Sequence, residues 1–395
     1  MIGQTTRMND ITIDKTGWKK YRFDEMVQNI SERVEPSQTD LDVYVGLEHI
    51  DPDSLHIKRH GHPSDVEGTK LRFYKGDIIF GRRRAYQRKT ALATTDGICS
   101  AHAMVLRAKE DVVDPMFLPF LFHSKSFIDM AITISVGGLS PTINWKDIAK
   151  QEFLLPSKSE QKRLAALLWA ADEMIEKEKR AKSQLDLYRQ SKLKNIFQSA
   201  NTHIKLKDLP IEEINGLWKT EDSDSIEVSV IRSTEFSDYG TICFDKLEPM
   251  PVKISQYQTR KLLSSDIVVE RSGGGPDQPV GRVCYFEKEE GEYSFSNFTS
   301  CVRVSNNNVI LPKYLFYFLE YYWELGGTDR IQNQTTGIRN LDYESYRMIK
   351  IPINPIEEQK NSINIIDHIL QSIFTIKNQI EQSQQIKQEL INKVF

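Results

Sequence analysis

The stretch Gly81-Arg82-Arg83-Arg84-Ala85-Tyr86-Gln87-Arg88-Lys89 puts five cations and one aromatic ring into nine residues. Guanidinium forks bind phosphate oxygens or guanine edges in bidentate fashion, and a planar ring can stack beside them. The run follows Gly76-Asp77-Ile78-Ile79-Phe80, a short apolar segment of the kind a buried strand gives, so the cations are expected on a surface loop. A solvated charged loop is the bland alternative, but nothing in a soluble core calls for such a density of charge. The other candidate chemistries are weaker. His56, His60 and His62 have spacings open to a metal, yet Lys58 and Arg59 lie among them and no acid or cysteine completes the set, so a solvated basic loop is expected. Cys99-Ser100-Ala101-His102 joins a thiol to an imidazole inside an apolar strand and reads as packed core. Asp266 and Glu270, with Arg271 next, resemble nuclease carboxylates, but the first half of the chain has Asp77 and Gly81 at those places. Ser272-Gly273-Gly274-Gly275-Pro276 lacks the lysine and following helix of a nucleotide loop; it reads as a tight turn whose backbone amides can approach phosphate. Asp114-Pro115-Met116-Phe117 is a near miss for the tetrad that holds a flipped base, and is better explained as a helix start with an N-cap acid and N1 proline. These readings assign no catalytic residue and no metal site.

The elements that must position these residues occur twice. The segment from Trp18 runs through Gly76-Asp77-Ile78-Ile79-Phe80 and Leu154-Leu155-Pro156 into Glu160-Gln161-Lys162 and a long helix ending near Phe197. The segment from His203 runs through Ser265-Asp266-Ile267-Val268-Val269 and Ile351-Pro352 into Glu358-Gln359-Lys360 and a second helix ending at Phe395. The order of landmarks is conserved within the chain, and the offset grows only from 189 to 198 residues between them. A period this long means duplicated domains and not a solenoid. Each copy reads as a mixed α/β unit: strands at Asp42–Leu47, Asp77–Phe80 and Ile98–Leu106, a helix after Asp114-Pro115 answered by one after Leu311-Pro312, and a loop Gly137–Pro141 answered by Thr335–Asn340. The basic loop 81–89 falls where the second copy has Glu270–Gln278, so equivalent loops carry different side chains, as two readers of different sequences would.

From Glu357 onward, positions 366, 369, 373, 376, 380, 383, 387, 390 and 394 step by three and four, and seven of the nine are apolar. That is a coiled-coil seam, with Ile366, Ile373, Ile380 and Leu390 among its members. The first helix has Leu164, Leu168, Ile175, Leu185 and Ile196 on similar spacing, weakened by the charged run Glu176–Arg180. The two seams most simply satisfy each other in antiparallel fashion, as a rod ~57 Å long for ~38 residues; the alternative is two amphipathic helices, each lying on its own domain. The expected organisation is a flexible tail 1–17, a first recognition unit 18–157, a central spacer helix 158–200, a second unit 201–354 and a C-terminal spacer helix 355–395.

Composition narrows the function classes. No apolar run approaches 18 residues, which excludes a helical membrane span, and residues 1–17 lack the apolar core of a signal peptide. Cys99, Cys243, Cys284 and Cys301 form no CxxC pair and suggest free thiols in a reducing cytoplasm. The net charge of −3 conceals an asymmetry: residues 18–200 carry 29 Lys+Arg against 25 Asp+Glu, and residues 201–395 carry 21 against 28. Residues 70–109 hold ten basic residues and only Asp77 and Asp96, a basic patch suited to a polyanion. The acidic remainder must face water or protein partners.

At these landmarks the chain resembles the specificity subunit of a type I restriction-modification system. The resemblance extends from Trp18 to Phe395 and is carried by the Gly-Asp-Ile-Ile-Phe strand and its basic loop, Asp96–His102, the Glu270–Gln278 loop, Ser296-Asn297-Phe298, and the Pro156/Glu160-Gln161 and Pro352/Glu358-Gln359 helix entries. It implies an α/β fold class: two mixed α/β target recognition domains in pseudo-two-fold repeat, held apart by two long antiparallel coiled-coil helices acting as a ruler. It implies double-stranded DNA as ligand, read in two halves, and no catalysis by this chain. The partners implied are two modification (methyltransferase) subunits, which bind S-adenosylmethionine, and in larger assemblies a restriction or motor subunit using ATP and Mg. One half-site is then expected at Arg82, Arg83, Arg84, Tyr86, Arg88 and Lys89, with Ser140, Thr142 and Asn144 nearby; the other at Arg271, Ser272, Gly273 and Gly274, with Arg339 and Asn340. The second unit sits awkwardly, since residues 253–282 hold only five basic residues against three acidic ones. The competing class is a non-catalytic coiled-coil scaffold with duplicated ligand-binding domains, which has no need of the 82–89 loop. A self-contained nuclease or methyltransferase comes third, for want of a metal or cofactor motif.

Overall fold

The computed structural model describes residues 13–220, 223–275, 278–335 and 338–395. The chain divides into two compact units, one of residues 1–180 with 378–395 and the other of residues 181–377. The division cuts both long helices, α1 (Lys158–Gln198) and α2 (Ile356–Val394), so each unit contains part of each. The expected tail 1–17 lies outside the described residues up to position 12; Ile13 already packs on the first unit's core, so this part is anchored.

In the first unit a four-stranded antiparallel sheet runs in the order Val27–Ile30, Ala103–Ala108, Ile78–Gly81, Thr90–Leu92. In the second unit the order Ile211–Asn215, Thr299–Val304, Ile267–Glu270, Val283–Tyr285 has the same pairing directions. The apolar runs that predict Ile78–Phe80 and Ile267–Val269 as strands are the second-from-edge strands of these sheets, and every residue of Ile78–Gly81 is buried. A second sheet in each unit, four-stranded in the first and three-stranded in the second, contains a parallel pair, Tyr44–Val45 with Gly97–Cys99 in one and Ser225–Ile231 with Tyr293–Phe295 in the other. An antiparallel ribbon then leads into each long helix, Lys19–Arg22 with Glu152–Leu155 and Thr202–Lys205 with Lys350–Ile353.

The repeated landmarks have physical causes. Gly76 and Ser265 both take left-handed φ, +93° and +80°, and let the next aspartate fold back on its own turn. Asp77 accepts from the Tyr74 amide at 2.8 Å and from Arg107 at 2.7 and 2.8 Å; Asp266 accepts from the Leu263 amide at 2.8 Å and from Arg303 at 2.8 and 2.7 Å. The pair therefore closes a turn and ties neighbouring strands together. Glu270, the other half of the nuclease-like pair, is buried and held by Arg282 at 2.8 and 2.9 Å. The glutamines of the Glu-Gln-Lys entries are also buried. Gln161 accepts from the Asp114 amide at 2.7 Å and donates to the Val112 and Pro156 carbonyls, while Gln359 accepts from the Leu311 amide at 2.8 Å and donates to the Val309 and Asn354 carbonyls. Each glutamine fastens the first turn of its helix to the loop ahead of the preceding helix and leaves those backbone groups satisfied.

Some local expectations change. Asp42–Leu47 contributes only Tyr44–Val45 as strand, and Ile98–Leu106 is two strands, Gly97–Cys99 and Ala103–Ala108, separated by a turn. The Asp114 carboxylate does accept from the Met116 amide at 2.9 Å, but the helix begins at Leu118 and lasts one turn before a second helix at Lys125–Thr133. In the other unit the same region is one helix, Pro312–Glu324. The loop expected at 335–340 is part of a hairpin, Gln332–Thr335 with Ile338–Leu341; Thr336 and Gly337 lie outside the described residues.

The helices pair antiparallel within each unit. In the first, Lys387 and Ser383 of α2 reach Asp172 (2.8 Å) and Glu178 (3.2 Å) of α1, so the two polar positions of the α2 seam are where it meets acids. Leu164, Leu168, Ile175, Ile380 and Leu390 are buried there. In the second unit Leu193 and Phe197 of α1 join Ile366, Ile369 and Ile373 of α2 in one apolar cluster, with Leu185 and Ile196 partly buried against it. Arg189 of α1 is wholly buried between Glu320 and Glu324 of Pro312–Glu324. It stands 198 positions before Lys387, so each unit buries one cation from the C-terminal half of a long helix against carboxylates.

Candidate functional site

In the first unit the buried strand Ile78–Gly81 delivers the chain to the surface at Arg82, and residues 136–143 pair with it there. The Ile143 amide donates to the Arg82 carbonyl at 3.0 Å, Arg83 bridges to Thr142, and the Arg84 amide donates to the Pro141 carbonyl at 2.8 Å. Arg84 Nε also donates to Ser140 Oγ at 3.1 Å. Arg84 and Arg88 both have left-handed φ, +57° and +55°, on either side of a single helical turn at Ala85–Gln87. Side chains with a Cβ resist this conformation, and residues held in it cluster at binding sites. The turn leaves Arg83, Arg84 and Tyr86 exposed and sends the last two cations inward.

Arg88, expected from the sequence at the DNA surface, is half-buried and bonded within its own chain. It pairs with Asp53 and donates to the His123 carbonyl at 2.9 Å and to Gln388 Oε1 at 3.3 Å. Lys89 is likewise committed, donating to the Leu47 carbonyl at 2.6 Å. Arg82 is half-buried and reaches the Ala101 carbonyl at 3.4 Å. Asn144 holds the N-cap position of the short helix Trp145–Ile148 without a side-chain cap bond, and its amide donates to Asp147 Oδ2 at 3.4 Å. The exposed surface is thus formed by residues 82–84 and 86, residues 139–142, and the turn 100–102.

That turn contains the residue the sequence reading misplaced. Cys99 is fully buried, with its thiol pushed up to about 12 by burial and by Asp77 nearby, but His102 is exposed and lies 3.4 Å from Arg83 Nη1. Desolvation first, and then the charges of Arg83, Arg82 and Lys70, hold the imidazole below its usual pKa, so it is neutral near pH 7 and offers both a donor and an acceptor. The other histidines do not form a solvated loop throughout: His56 bonds to Asp172 of α1 and packs edge-on against Trp169, while His60 and His62 stay exposed. Among the described residues no cluster of three or more His, Cys, Asp or Glu could hold a metal, and no helix is long and apolar enough to cross a membrane.

The second unit builds the same surface from different side chains. The strand Ile267–Glu270 delivers Arg271, and Ser272–Gly274 pairs with Ile338–Leu341 in the registers Ser272–Asn340 and Gly274–Arg339. Ser272 Oγ donates to Asn340 Oδ1 at 2.6 Å, and the Leu341 amide donates to the Arg271 carbonyl at 2.8 Å. The Arg271 guanidinium lies 4.2 Å above the Tyr343 ring and donates to Asn215 Oδ1 at 2.7 Å, an orientation fixed from two sides. Phe298 occupies the place of His102: its carbonyl accepts from the Arg271 and Ser272 amides at 2.9 and 3.1 Å, and its ring is exposed. Gly273 has φ +108° and is exposed, so bare backbone and not a side chain stands at the surface there. Gly274 is buried, and a Cβ there would meet the Gln278 carbonyl at 2.6 Å. Pro276 and Asp277 lie outside the described residues.

The structure thus joins Arg83, Arg84, Ser140 and Thr142 in one unit and Arg271, Ser272, Gly273, Arg339 and Asn340 in the other. It adds His102, which the sequence reading put in the core, Phe298, named there only as a landmark, and Asn215 and Tyr343, which sequence reasoning passed over. The motif Ser100-Ala101-His102 aligned on Ser296-Asn297-Phe298 was a signal for two of them. Such a surface offers cations, amides and hydrogen-bonding side chains for binding.

A family model described as the type I restriction modification DNA specificity domain matches this chain twice, over residues 17–187 and 191–388. The type I restriction enzyme EcoDI specificity subunit of Escherichia coli is 26% identical over 217 residues, 53% of this chain and 45% of that protein. The type I restriction enzyme MjaVIII specificity subunit of Methanocaldococcus jannaschii is 33% identical over 98 residues, 25% of this chain and 22% of that protein. These matches span less than half the length of either relative. Among solved structures, the type I restriction-modification S subunit of M. genitalium superposes with a TM-score of 0.59 at 15% identity, covering 98% of both chains. A chain from a type I R-M system solved for its complex assembly gives 0.59 at 18% identity over 96% of this chain and 97% of that one. At such identities the likeness is one of fold.

Proposed function

The chain belongs to the type I restriction-modification DNA specificity family, and from that premise we propose that it reads a split double-stranded DNA sequence, one half with each unit, and docks modification subunits that methylate it. The observation that carries this is the duplicated loop pair: the same backbone scaffold presents Arg83, Arg84 and His102 in one unit and Arg271, Ser272 and Phe298 in the other. A common scaffold with different side chains is what recognition of two unlike half-sites requires. Arg83 and Arg84 take phosphates or guanine edges as exposed cations, whereas Arg271, clamped by Tyr343 and Asn215, is pre-oriented for one base edge. The loop pair of the second unit presents its arginines half-buried where the first presents Arg83 and Arg84 exposed, which leaves fewer phosphate contacts there, with partner subunits supplying the rest. The chain acts as a non-catalytic subunit in this reading; S-adenosylmethionine, and ATP with Mg where a motor joins, belong to the partners. Comparing the methylomes of cells carrying the neighbouring modification subunit with and without this chain tests the reading. A split motif methylated in both halves is expected. No new motif, from a complex shown to assemble, would refute it.

A further inference from the structure

We propose that Arg271 reads a guanine in the half-site of the second unit, and that Tyr343 and Asn215 are the positioning residues that confine it to that base; this rests on the DNA-reading function above. Both backbone groups of Arg271 are already used: its amide donates to the Phe298 carbonyl at 2.9 Å and its carbonyl accepts from the Leu341 amide at 2.8 Å. One flat face of the guanidinium is covered by the Tyr343 ring, whose centroid lies 4.2 Å from the guanidinium carbon. That ring is itself stacked on Tyr346, with centroids 5.8 Å apart and planes 19° off parallel, and Tyr346 is buried. The stack is thus rooted in the core of the unit. Nη1 donates to Asn215 Oδ1 at 2.7 Å. Among the described residues no hydrogen bond takes Nε or Nη2, so the edge they form is left for a ligand. The first unit places its counterpart differently. Arg82 also stands one residue beyond a buried strand, but it reaches the Ala101 carbonyl at 3.4 Å, and a tryptophan, Trp145, opens the short helix that Tyr343 opens in the second unit.

What the remaining edge can read follows from its shape. Two N–H groups side by side in one plane match two acceptors side by side. In the major groove guanine alone offers these, at O6 and N7; adenine sets a donor beside its N7, thymine a methyl group beside its O4, and cytosine presents a donor. A phosphate also offers paired oxygens, but every nucleotide has one, and an arginine free to swing reaches it as well as a held one does. Holding the guanidinium matters against wrong bases. A fork that cannot turn aside leaves its donors unpaired opposite adenine, thymine or cytosine and cannot escape to a phosphate. The rotamer freedom a long side chain gives up on binding has here been given up already in the fold.

The test uses the full chain assembled with its modification subunits and a duplex carrying its methylated motif. Each guanine of the motif, on either strand, is replaced in turn by 7-deazaguanine, which pairs normally but lacks N7. Wild type should lose about ten-fold in affinity at the guanine under Arg271. Arg271→Ala should lose about ten-fold on the unmodified duplex, lose nothing further at that guanine and respond as wild type at all others. Its salt slope should stay as in wild type, because no phosphate contact is lost. Tyr343→Leu and Asn215→Ala should each shrink the 7-deazaguanine penalty at the same position and at no other, and Tyr343→Phe, which keeps the ring, should restore most of it. Loss of general packing would not single out one base. Asn215 is exposed, so its variant decides the matter if Tyr343→Leu fails to fold. Specific binding with no guanine whose contribution depends on Arg271 overturns the proposal and leaves the DNA-reading function standing; a salt slope shallower by about 0.9 in Arg271→Ala would then make it a phosphate contact. A guanine penalty indifferent to both Tyr343→Leu and Asn215→Ala overturns the positioning roles. Failure of the wild-type assembly to bind the duplex overturns both readings.

Discussion

Replacing Arg83 and Arg84 together by alanine tests whether they hold phosphates in the first unit, as proposed. Both side chains are exposed and their links to His102 and Ser140 are surface contacts, while the backbone bonds that flank Arg83, from the Ile143 amide to Arg82 and from the Arg84 amide to Pro141, survive the change. The fold should therefore be kept. Each lost phosphate contact reduces the slope of log affinity against log salt by about 0.9, so the double variant should be shallower by about 1.8. Over the four-fold rise from 50 to 200 mM salt, the advantage of wild type should shrink by about twelve-fold. Anisotropy titration of the assembled complex on its motif duplex at several salt concentrations measures this directly. Arg88→Ala is the control: its side chain is turned inward to Asp53, His123 and Gln388, so it should lower thermal stability and leave the salt slope alone. An unchanged slope in a folded Arg83→Ala, Arg84→Ala protein would remove these residues from the DNA surface.

Lys387→Met leaves the buried Asp172 with His56 as its remaining partner and should cost about 3 kcal/mol in denaturant unfolding; a neutral outcome would mean the pair contributes nothing. Burial by itself would raise the Asp172 pKa, but the His56 hydrogen bond and the Lys387 charge overcome it and hold it at about 2. Because the folded value is depressed, the stabilisation is complete above the ordinary carboxylate range near pH 4 and is lost as pH falls towards 2, and Asp172→Asn should flatten that part of the stability profile. Gln161→Leu strips partners from the Asp114 amide and the Val112 and Pro156 carbonyls and should cost roughly 1–3 kcal/mol, with Gln359→Leu costing about the same by the same assay. Arg83→Ala removes one of the charges depressing His102, so the imidazole resonances should titrate at higher pH than in wild type; an unmoved titration would place His102 outside the field of Arg83.

Much of the architecture was legible because its signals are local. Helical seams follow from a spacing of three and four, buried strands from short apolar runs, and the duplication from landmarks such as Gly76-Asp77 and Ser265-Asp266 whose turn chemistry is confined to a few residues. The basic loop was visible as composition, and so was its displacement to the surface by a fully buried strand. The meaning of the Glu-Gln-Lys entry was not visible, since Gln161 acts on backbone groups as far as 49 residues away.

The sequence by itself determined that two similar α/β units and two long apolar-striped helices exist, and that one loop concentrates positive charge. Only the tertiary structure decided which charges face out. Arg83 and Arg88 are five residues apart and chemically identical, yet Arg88 meets Asp53, His123 and Gln388, 35 to 300 positions away, and Arg83 does not. Likewise Lys387 interrupts an apolar seam as a defect until Asp172 is brought opposite it, and His102 leaves the core because the strand breaks at Ser100. Periodicity is set by bonds between near neighbours and can be read along the chain. The partner of a long charged side chain is set by packing among distant segments, where the desolvation penalty allows burial only of a cation that finds its acceptors.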